Sequence, residues 1–258
     1  MGGIGAKMLL DSVGILKTIP GRFIQTSFFI IFTFFLYKFY LRKFEGTSVT
    51  GFNSPRWFRK VLLGIAIGSG LIIIQVIFYT LTGNYHITYF QPSGEVIKYI
   101  FLMMLIGFIE ELITRGIIFR LVEKWAGSLI AIIVVAIEGG LTHATNPNAT
   151  FWSSFAVALE FGILMTLVYM ATRNLWVVSA LHFAWNFTMG GIFDIAVSGT
   201  DPSSLFKAIL EGPAWLTGGK FGVEAGAPAI VITVIASVIL INQIKKKNGF
   251  VPGPFSRK

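Results

Sequence analysis

The chain has 258 residues, of which 54% are hydrophobic and 13% are charged, and its formal net charge at pH 7 is +9. Soluble domains carry about 25% charged residues, so this composition excludes an ordinary soluble protein and indicates several membrane spans. The absence of cysteine excludes disulfides, thiolate zinc sites and a cysteine nucleophile. Basic residues lie at the ends of apolar runs, so we attribute the positive charge to orientation in the bilayer and predict no nucleic-acid binding.

Seven segments of the chain are apolar enough to cross the hydrocarbon core, which takes about 20 residues per helix. In chain order they are 23–41, 60–82, 97–121, 128–144, 153–172, 175–192 and 228–244. Residues 1–20 predict either an interfacial helix or an additional span, and the sequence leaves both open. We therefore predict an all-α, polytopic transmembrane bundle of seven to eight spans, with residues 1–258 forming a single integral membrane domain.

The connections between spans predict an orientation and a candidate cover. Lys and Arg are concentrated in 42–59, in the other loops of the same side and at the C-terminus, which places that side in the cytoplasm of a multi-pass membrane protein. On the opposite side, 193–227 is long and rich in Gly and Pro. A segment of this kind is either a surface loop resting on the bundle or a lid over a membrane cavity.

Two adjacent carboxylates lie in the middle of the apolar span 97–121. Each costs at least about 2.5 kcal/mol at the centre of a membrane helix, so such residues are rare and usually functional. Glu111 precedes Arg115 by four residues, the favourable order for an ion pair on one helix face. Glu110 points about 100° away around the helix and has no partner nearby in sequence. We therefore predict that Glu111 and Arg115 support each other and that Glu110 is a general base.

Three further polar residues lie within the later spans. His143 ends 128–144, just before the turn Asn146-Pro147, and His182 and Asn186 share a face of 175–192. Each residue alone is accounted for by a hydrogen bond between helices. Together with the glutamate, the set of a carboxylate, two imidazoles and an amide indicates a hydrated catalytic pocket inside the membrane.

The spacing of these residues resembles the motifs of the CPBP family, which comprises the CAAX proteases and bacteriocin-processing enzymes, also called the Abi family. Glu110-Glu111-xxx-Arg115 matches its E-E-x-x-x-R motif and His182-xxx-Asn186 its H-x-x-x-N/D motif. The F-x-x-x-H motif is represented by His143 alone. Gly139 stands in the Phe position, which is the loss of a packing residue and puts the shape of the pocket in question. The resemblance covers roughly 97–244, the predicted catalytic core.

The resemblance implies an intramembrane endopeptidase that acts on a membrane-associated protein or peptide, of which a prenylated CAAX protein is one candidate. Glu110 and His143 would activate water, His182 and Asn186 would stabilise the oxyanion, and Glu111 and Arg115 would support the site. Zinc is left open: Glu110, His143 and His182 are its candidate ligands, but the H-E-x-x-H spacing of zincins is absent. The alternatives are a non-catalytic scaffold or bacteriocin-immunity protein of the same family, and a proton-coupled transporter.

Overall fold

A computed structural model describes residues 18–48 and 51–254, and 73% of the structure is helical. The alternatives for residues 1–20 therefore fall largely outside the described residues. Four helices are long and apolar enough to cross a membrane: Ile19–Phe44, Trp57–Leu81, Phe151–Thr172 and Ala227–Lys246. They coincide with four of the predicted spans. The other three predicted spans are also mainly helical, and the total of seven to eight spans stays a prediction.

The described elements follow one another as helices with three π-helical segments and one small sheet. The helices are α1 (Ile19–Phe44), α2 (Trp57–Leu81), α3 (Gly94–Ile113), α4 (Arg120–Ala126), α5 (Ser128–His143), α6 (Phe151–Val157), α7 (Met165–Thr172), α8 (Leu175–Asn186), α9 (Ala214–Thr217) and α10 (Ala227–Lys246). The π-helical segments are Thr114–Phe119, Ala158–Leu164 and Phe187–Ile192, and the strands are β1 (Tyr85–Phe90) and β2 (Phe206–Leu210). Short 3₁₀ turns at Gly219–Phe221 and Val223–Ala225 lead into α10.

The two strands pair antiparallel and form a sheet that the sequence does not predict. β1 lies in the connection 83–96 and β2 in the connection 193–227, both on the outer side. The sequence predicts loops in both connections. β1 is rich in aromatic and β-branched residues, which favour extended structure. Its partner lies more than a hundred residues away in sequence, so no local turn signal marks the pairing.

Helix α8 is the centre of the bundle because glycines allow two neighbouring helices to approach its backbone. A Cβ atom at Gly64 or Gly68 of α2 would lie 2.2 or 2.3 Å from a carbonyl oxygen of α8. A Cβ atom at Gly107 of α3 would lie 2.8 Å from the backbone nitrogen of Phe183. The spacing Gly64-xxx-Gly68 therefore does what small residues do at membrane helix interfaces. The contact at Gly107 brings the residue before Phe183, His182, beside the acidic turn of α3.

The start and end of α8 are set by its flanking residues. Arg173 has a left-handed backbone, with φ of +48°, and ends α7. The side chain of Asn174 then accepts a hydrogen bond from the backbone nitrogen of Val177, at 3.3 Å, and caps the new helix. The chain thus reverses within two residues, and α8 returns through the bundle with nearly all of its residues buried.

Candidate active site

A pocket lies among α3, α5, the α6–α7 region and α8, below the outer segment that connects α8 to α10. The pocket is partly open to solvent. Its walls include Glu110 from α3, His143 from α5, and His182 and Asn186 from α8. Four of the six residues singled out by the sequence therefore share one cavity. The other two are fully buried in the adjoining helix interior.

Those two buried residues form the ion pair that their spacing predicts. Nη1 of Arg115 donates a hydrogen bond to Oε1 of Glu111 at 2.9 Å, and both side chains are 0% exposed. Nη2 of Arg115 donates to the backbone carbonyl of Phe161, and the guanidinium carbon lies 4.2 Å from the centre of the Phe161 ring. The arginine is the second residue of the π-helical segment Thr114–Phe119, a type of irregularity that is frequent at functional sites.

His182 joins this buried pair to the pocket. Its Nδ1 lies 3.1 Å from Oε1 of Glu111, and its Nε2 lies 3.9 Å from Oε2 of Glu110. Because Glu111 also accepts from a guanidinium, we assign it as an ionised acceptor and Nδ1 of His182 as the donor. The hydrogen bond to Glu111 fixes the orientation of the ring, and Nε2 is left facing the pocket carboxylate.

The two neighbouring glutamates differ in their access to water. Glu110 is 26% exposed, whereas Glu111 is 0% exposed. Since a general base in hydrolysis must reach both a water molecule and the substrate, only Glu110 has the required position. The roles of the two carboxylates, a base for Glu110 and support for Glu111, stay a prediction.

His143 and Asn186 present polar groups from the other helices. Nδ1 of His143 lies 2.9 Å from the carbonyl oxygen of Gly139, one turn earlier on α5, and that contact makes Nδ1 the donor. Nε2 of His143 then carries a lone pair and can accept a proton. Asn186 lines the pocket, and among the described residues its side-chain amide makes no hydrogen bond. An amide in this state is available to a ligand.

Gly139, which departs from the family pattern, lies against an aromatic ring from another helix. A Cβ atom at Gly139 would lie 2.8 Å from Cδ1 of Phe161. The centre of that ring is 5.6 Å from the centre of the His143 ring and 5.2 Å from that of His182. The space next to Gly139 is therefore filled, and an aromatic residue lines the pocket between the two imidazoles.

Two further glutamates, Glu160 and Glu224, line the same pocket. For Glu160 the sequence leaves open a place in this polar interior or a pairing with a neighbour. Glu224 accepts hydrogen bonds from Nε1 of Trp185 at 3.1 Å and from the backbone nitrogen of Ser198 at 2.7 Å, which ties the outer segment to α8. Glu160 is buried, and neither of its carboxylate oxygens has a hydrogen-bond partner among the described residues. Its charge within the span 153–172 is the sequence signal that could have placed it in the pocket.

The outer segment covers the pocket, which bears on the two interpretations of 193–227. Val197, Ser198, Thr200 and Glu224 all come from this segment and line the cavity. The segment therefore does more than rest on the bundle, because it supplies part of the wall. His86, by contrast, is exposed in β1 and contacts the carbonyl oxygen of Gly83 at 2.9 Å, away from the site.

The candidate zinc ligands do not form a metal cluster as they stand. Within 18–48 and 51–254, no group of three His, Asp or Glu side chains is placed to hold a metal ion. Glu110 and His182 approach each other, and the Nδ1 contact of His143 with a backbone carbonyl leaves its Nε2 with a lone pair. We therefore derive no chemical step through a metal, and zinc stays a prediction.

Comparison with protein-family models gives a match over residues 92–188. The matching model is described as type II CAAX prenyl endopeptidase Rce1-like. Residues 92–188 are therefore similar to that protease family. No curated protein and no solved structure matches the chain.

The matched segment includes the positions of all three motifs, from Glu110 to Asn186. The resemblance stated from those motifs is confirmed. This similarity, together with the four apolar helices, supports an integral membrane protease. The match ends at residue 188, so the extension of the catalytic core to residue 244 stays a prediction.

Proposed function

We propose that the protein is an intramembrane endopeptidase that hydrolyses a peptide bond of a membrane-associated protein or peptide. The observation that carries the proposal is the position of Glu110. It is the water-accessible member of a buried glutamate pair, and it faces His182 across a pocket that His143 and Asn186 also line. A scaffold or an immunity protein has no need for this arrangement, because each of these polar groups is costly within a membrane.

In the proposed reaction, Glu110 accepts a proton from a water molecule as that water attacks the scissile carbonyl carbon. His143 assists, since its Nε2 has a lone pair when Nδ1 donates to the carbonyl of Gly139. The new C–O bond forms while the carbonyl π electrons move onto oxygen. Glu110 then returns the proton to the leaving nitrogen as the C–N bond breaks.

The negative charge on the carbonyl oxygen needs donors on the opposite side of the substrate. The amide of Asn186 is one, because it has no other hydrogen bond among the described residues. His182 is the other proposed donor, because its Nε2 lies at the pocket while its Nδ1 contacts Glu111. Both ring nitrogens donate when the imidazole carries both protons. Arg115 balances the charge of Glu111 and holds the residue that orients His182.

The substrate class follows from the family and from the location of the pocket. A type II CAAX prenyl endopeptidase-like segment and an active site within a helical bundle favour a lipid-anchored CAAX-type substrate at the membrane. The proposal includes seven to eight spans in the cell membrane.

The test measures cleavage of a fluorogenic farnesylated CAAX peptide by purified protein in lipid nanodiscs. Glu110→Gln removes the base and retains size, so we expect a loss of about 10²- to 10⁴-fold in kcat. Glu95→Gln is the control, because Glu95 lies in the first turn of the same helix and does not line this pocket. Full activity in Glu110→Gln would overturn the proposed mechanism.

Metal dependence is tested on the same preparation by dialysis against EDTA. Activity that persists supports activation of water by Glu110 and His143 alone. A loss that Zn²⁺ reverses would assign an ion to the set Glu110, His143 and His182, and the sequence of proton transfers would have to be rewritten around it.

A further inference from the structure

We infer that Phe161 is a positioning residue of this site, which sets the orientation of both imidazoles from a helix that carries none of the motif residues. The inference deepens the proposed function and rests on it for its catalytic consequence. Its structural part rests on contacts alone. Phe161 belongs to the π-helical segment Ala158–Leu164, between α6 and α7, and is buried.

One ring contacts three of the site residues. Its centre lies 5.6 Å from the His143 ring, 5.2 Å from the His182 ring and 4.2 Å from the guanidinium carbon of Arg115. The ring meets His182 at 65°, an edge-to-face arrangement that aromatic pairs prefer. The arginine lies over its face, where a cation is attracted. A rotation of this ring would therefore move both imidazoles and the arginine that pairs with Glu111.

The ring of Phe161 fills the space beside Gly139, which is the position at which the family motif has Phe. A Cβ atom at Gly139 would lie 2.8 Å from Cδ1 of Phe161, closer than real Cβ contacts. Any side chain at 139 and the ring of Phe161 therefore compete for one space. Gly139 also supplies the carbonyl oxygen that holds Nδ1 of His143 at 2.9 Å. The aromatic ring beside His143 has thus been supplied from the facing helix instead of from α5.

This exchange predicts a reciprocal rescue. Phe161→Leu keeps an apolar side chain but removes the ring. Gly139→Phe adds a ring where one is already present. The double variant Gly139→Phe/Phe161→Ala moves the ring from one helix to the other and should restore what its two component changes, Gly139→Phe and Phe161→Ala, each remove. Phe155→Ala is the matched control, because Phe155 lies on the adjoining α6 but is exposed.

The first readout is independent of catalysis. The chain has three histidines, so labelling of the imidazole Cε1 carbon gives three NMR signals. His86 is exposed in β1 and serves as the internal reference. We expect Phe161→Leu to shift the signals of His143 and His182 but not that of His86. The double variant should return both toward their wild-type positions, and Phe155→Ala should leave all three unchanged.

The second readout is cleavage of the farnesylated CAAX peptide. Misplacement of catalytic groups by about 1 Å can cost on the order of 10²-fold, so we expect Phe161→Leu to lower kcat by about 10- to 100-fold with little change in KM. The double variant should recover most of that loss. Gly139→Phe alone should lose activity because of the steric conflict.

The two readouts separate the inference from the function. Unchanged signals of His143 and His182 in Phe161→Leu would overturn the positioning role, whether or not the wild type cleaves the peptide. A wild-type protein that fails to cleave while Phe161→Leu shifts both signals would refute the endopeptidase proposal and keep the structural inference. Failure of the double variant to recover, in a folded protein whose single variants are impaired, would show that position 161 acts through bulk packing and would also overturn the inference.

Discussion

Two consecutive residues of α3, Glu110 and Glu111, lie on faces of the helix that differ in their access to water. On the interior face, Glu111 is closed in by Arg115 and His182, and none of its surface reaches solvent. On the pocket face, Glu110 keeps 26% of its side-chain surface and makes only a 3.9 Å approach to His182. A rotation of about 100° per residue is enough to separate a structural carboxylate from a reactive one.

Pairing, and not acidity alone, therefore decides which of the two carboxylates is available for proton transfer. Glu111 contacts Arg115 and His182, and removal of Glu111 would leave the buried guanidinium of Arg115 without a counter-charge. Glu110 has no such commitment and can exchange protons with water. Substitutions on the interior face should therefore change mainly the free energy of unfolding. Substitutions on the pocket face should change mainly the rate of cleavage.

The largest effect is expected from breaking the interior pair. Arg115→Met leaves the buried carboxylate of Glu111 without its cation, which should lower the free energy of unfolding by about 3–5 kcal/mol. Thermal unfolding in detergent micelles measures it. The double variant Glu111→Leu/Arg115→Met should recover most of that stability but not the activity, because His182 loses the acceptor that orients it. Equal destabilisation by Glu110→Gln would remove the distinction between the two faces.

The next effect is one of rate without stability. Asn186→Ala deletes a proposed oxyanion donor, so kcat should fall by about 10²- to 10³-fold. Peptide cleavage in nanodiscs measures the rate, and the melting temperature should change little. Ser179→Ala on the same helix is the control, since Ser179 is buried but does not line the pocket. If Asn186→Ala lost stability and rate together, Asn186 would belong to the interior face instead.

The ion pair between Glu45, just after α1, and Arg120, at the start of α4, tests whether pairing also stabilises near the membrane surface. Burial opposes the ionisation of Glu45, but the hydrogen bonds and charge of Arg120 outweigh burial and lower the pKa of this carboxyl. A lowered pKa contributes stability that is present at neutral pH and lost as pH falls below about 4.3, the ordinary value for Glu, through the lowered pKa. Glu45→Gln should therefore cost about 1.5–3 kcal/mol at pH 7.

The pH series is the check on that prediction. Unfolding of the wild type and of Glu45→Gln is measured from neutral pH into the acid range, and the gap between them should close as Glu45 takes up its proton. A gap that stays constant with pH would mean that the contribution of Glu45 is packing and not charge.

The smallest effect is expected at a carboxylate of the pocket wall that has no partner. Glu160 is buried with both oxygens unpaired among the described residues. Glu160→Met removes a group whose desolvation is not compensated, so the protein should gain about 1–3 kcal/mol. Differential scanning of thermal unfolding detects a gain of this size. A loss of stability would mean that Glu160 has a partner, such as an ordered water or a bound proton donor.

Much of the helical architecture could be predicted because membrane spans are strongly marked by composition. Four predicted spans coincide with long apolar helices, and the i, i+4 spacing of Glu111 and Arg115 gave the ion pair that the structure contains. The family was also readable, since three motifs in order are more specific than any one of them.

Other features could not be read because they depend on contacts between distant segments. The strands β1 and β2 pair across more than a hundred residues. The effect of glycine at position 139 is visible only from its contact with Phe161, and no local sequence pattern links the two residues. The hydrogen bonds that anchor Glu224 to Trp185 and Ser198 likewise join separate parts of the chain.

The π-helical segment between α6 and α7 has a consequence for how this helix meets lipid. A wider turn breaks the 3.6-residue repeat, so a side-chain direction extrapolated from Phe151 onward is out of phase by Thr172. A helical wheel drawn through the whole span would therefore assign some lipid-facing positions to the protein interior. The native chain has no cysteine, so single cysteines can be introduced along this span and probed with thiol reagents. Their reactivity pattern should slip its phase across Ala158–Leu164.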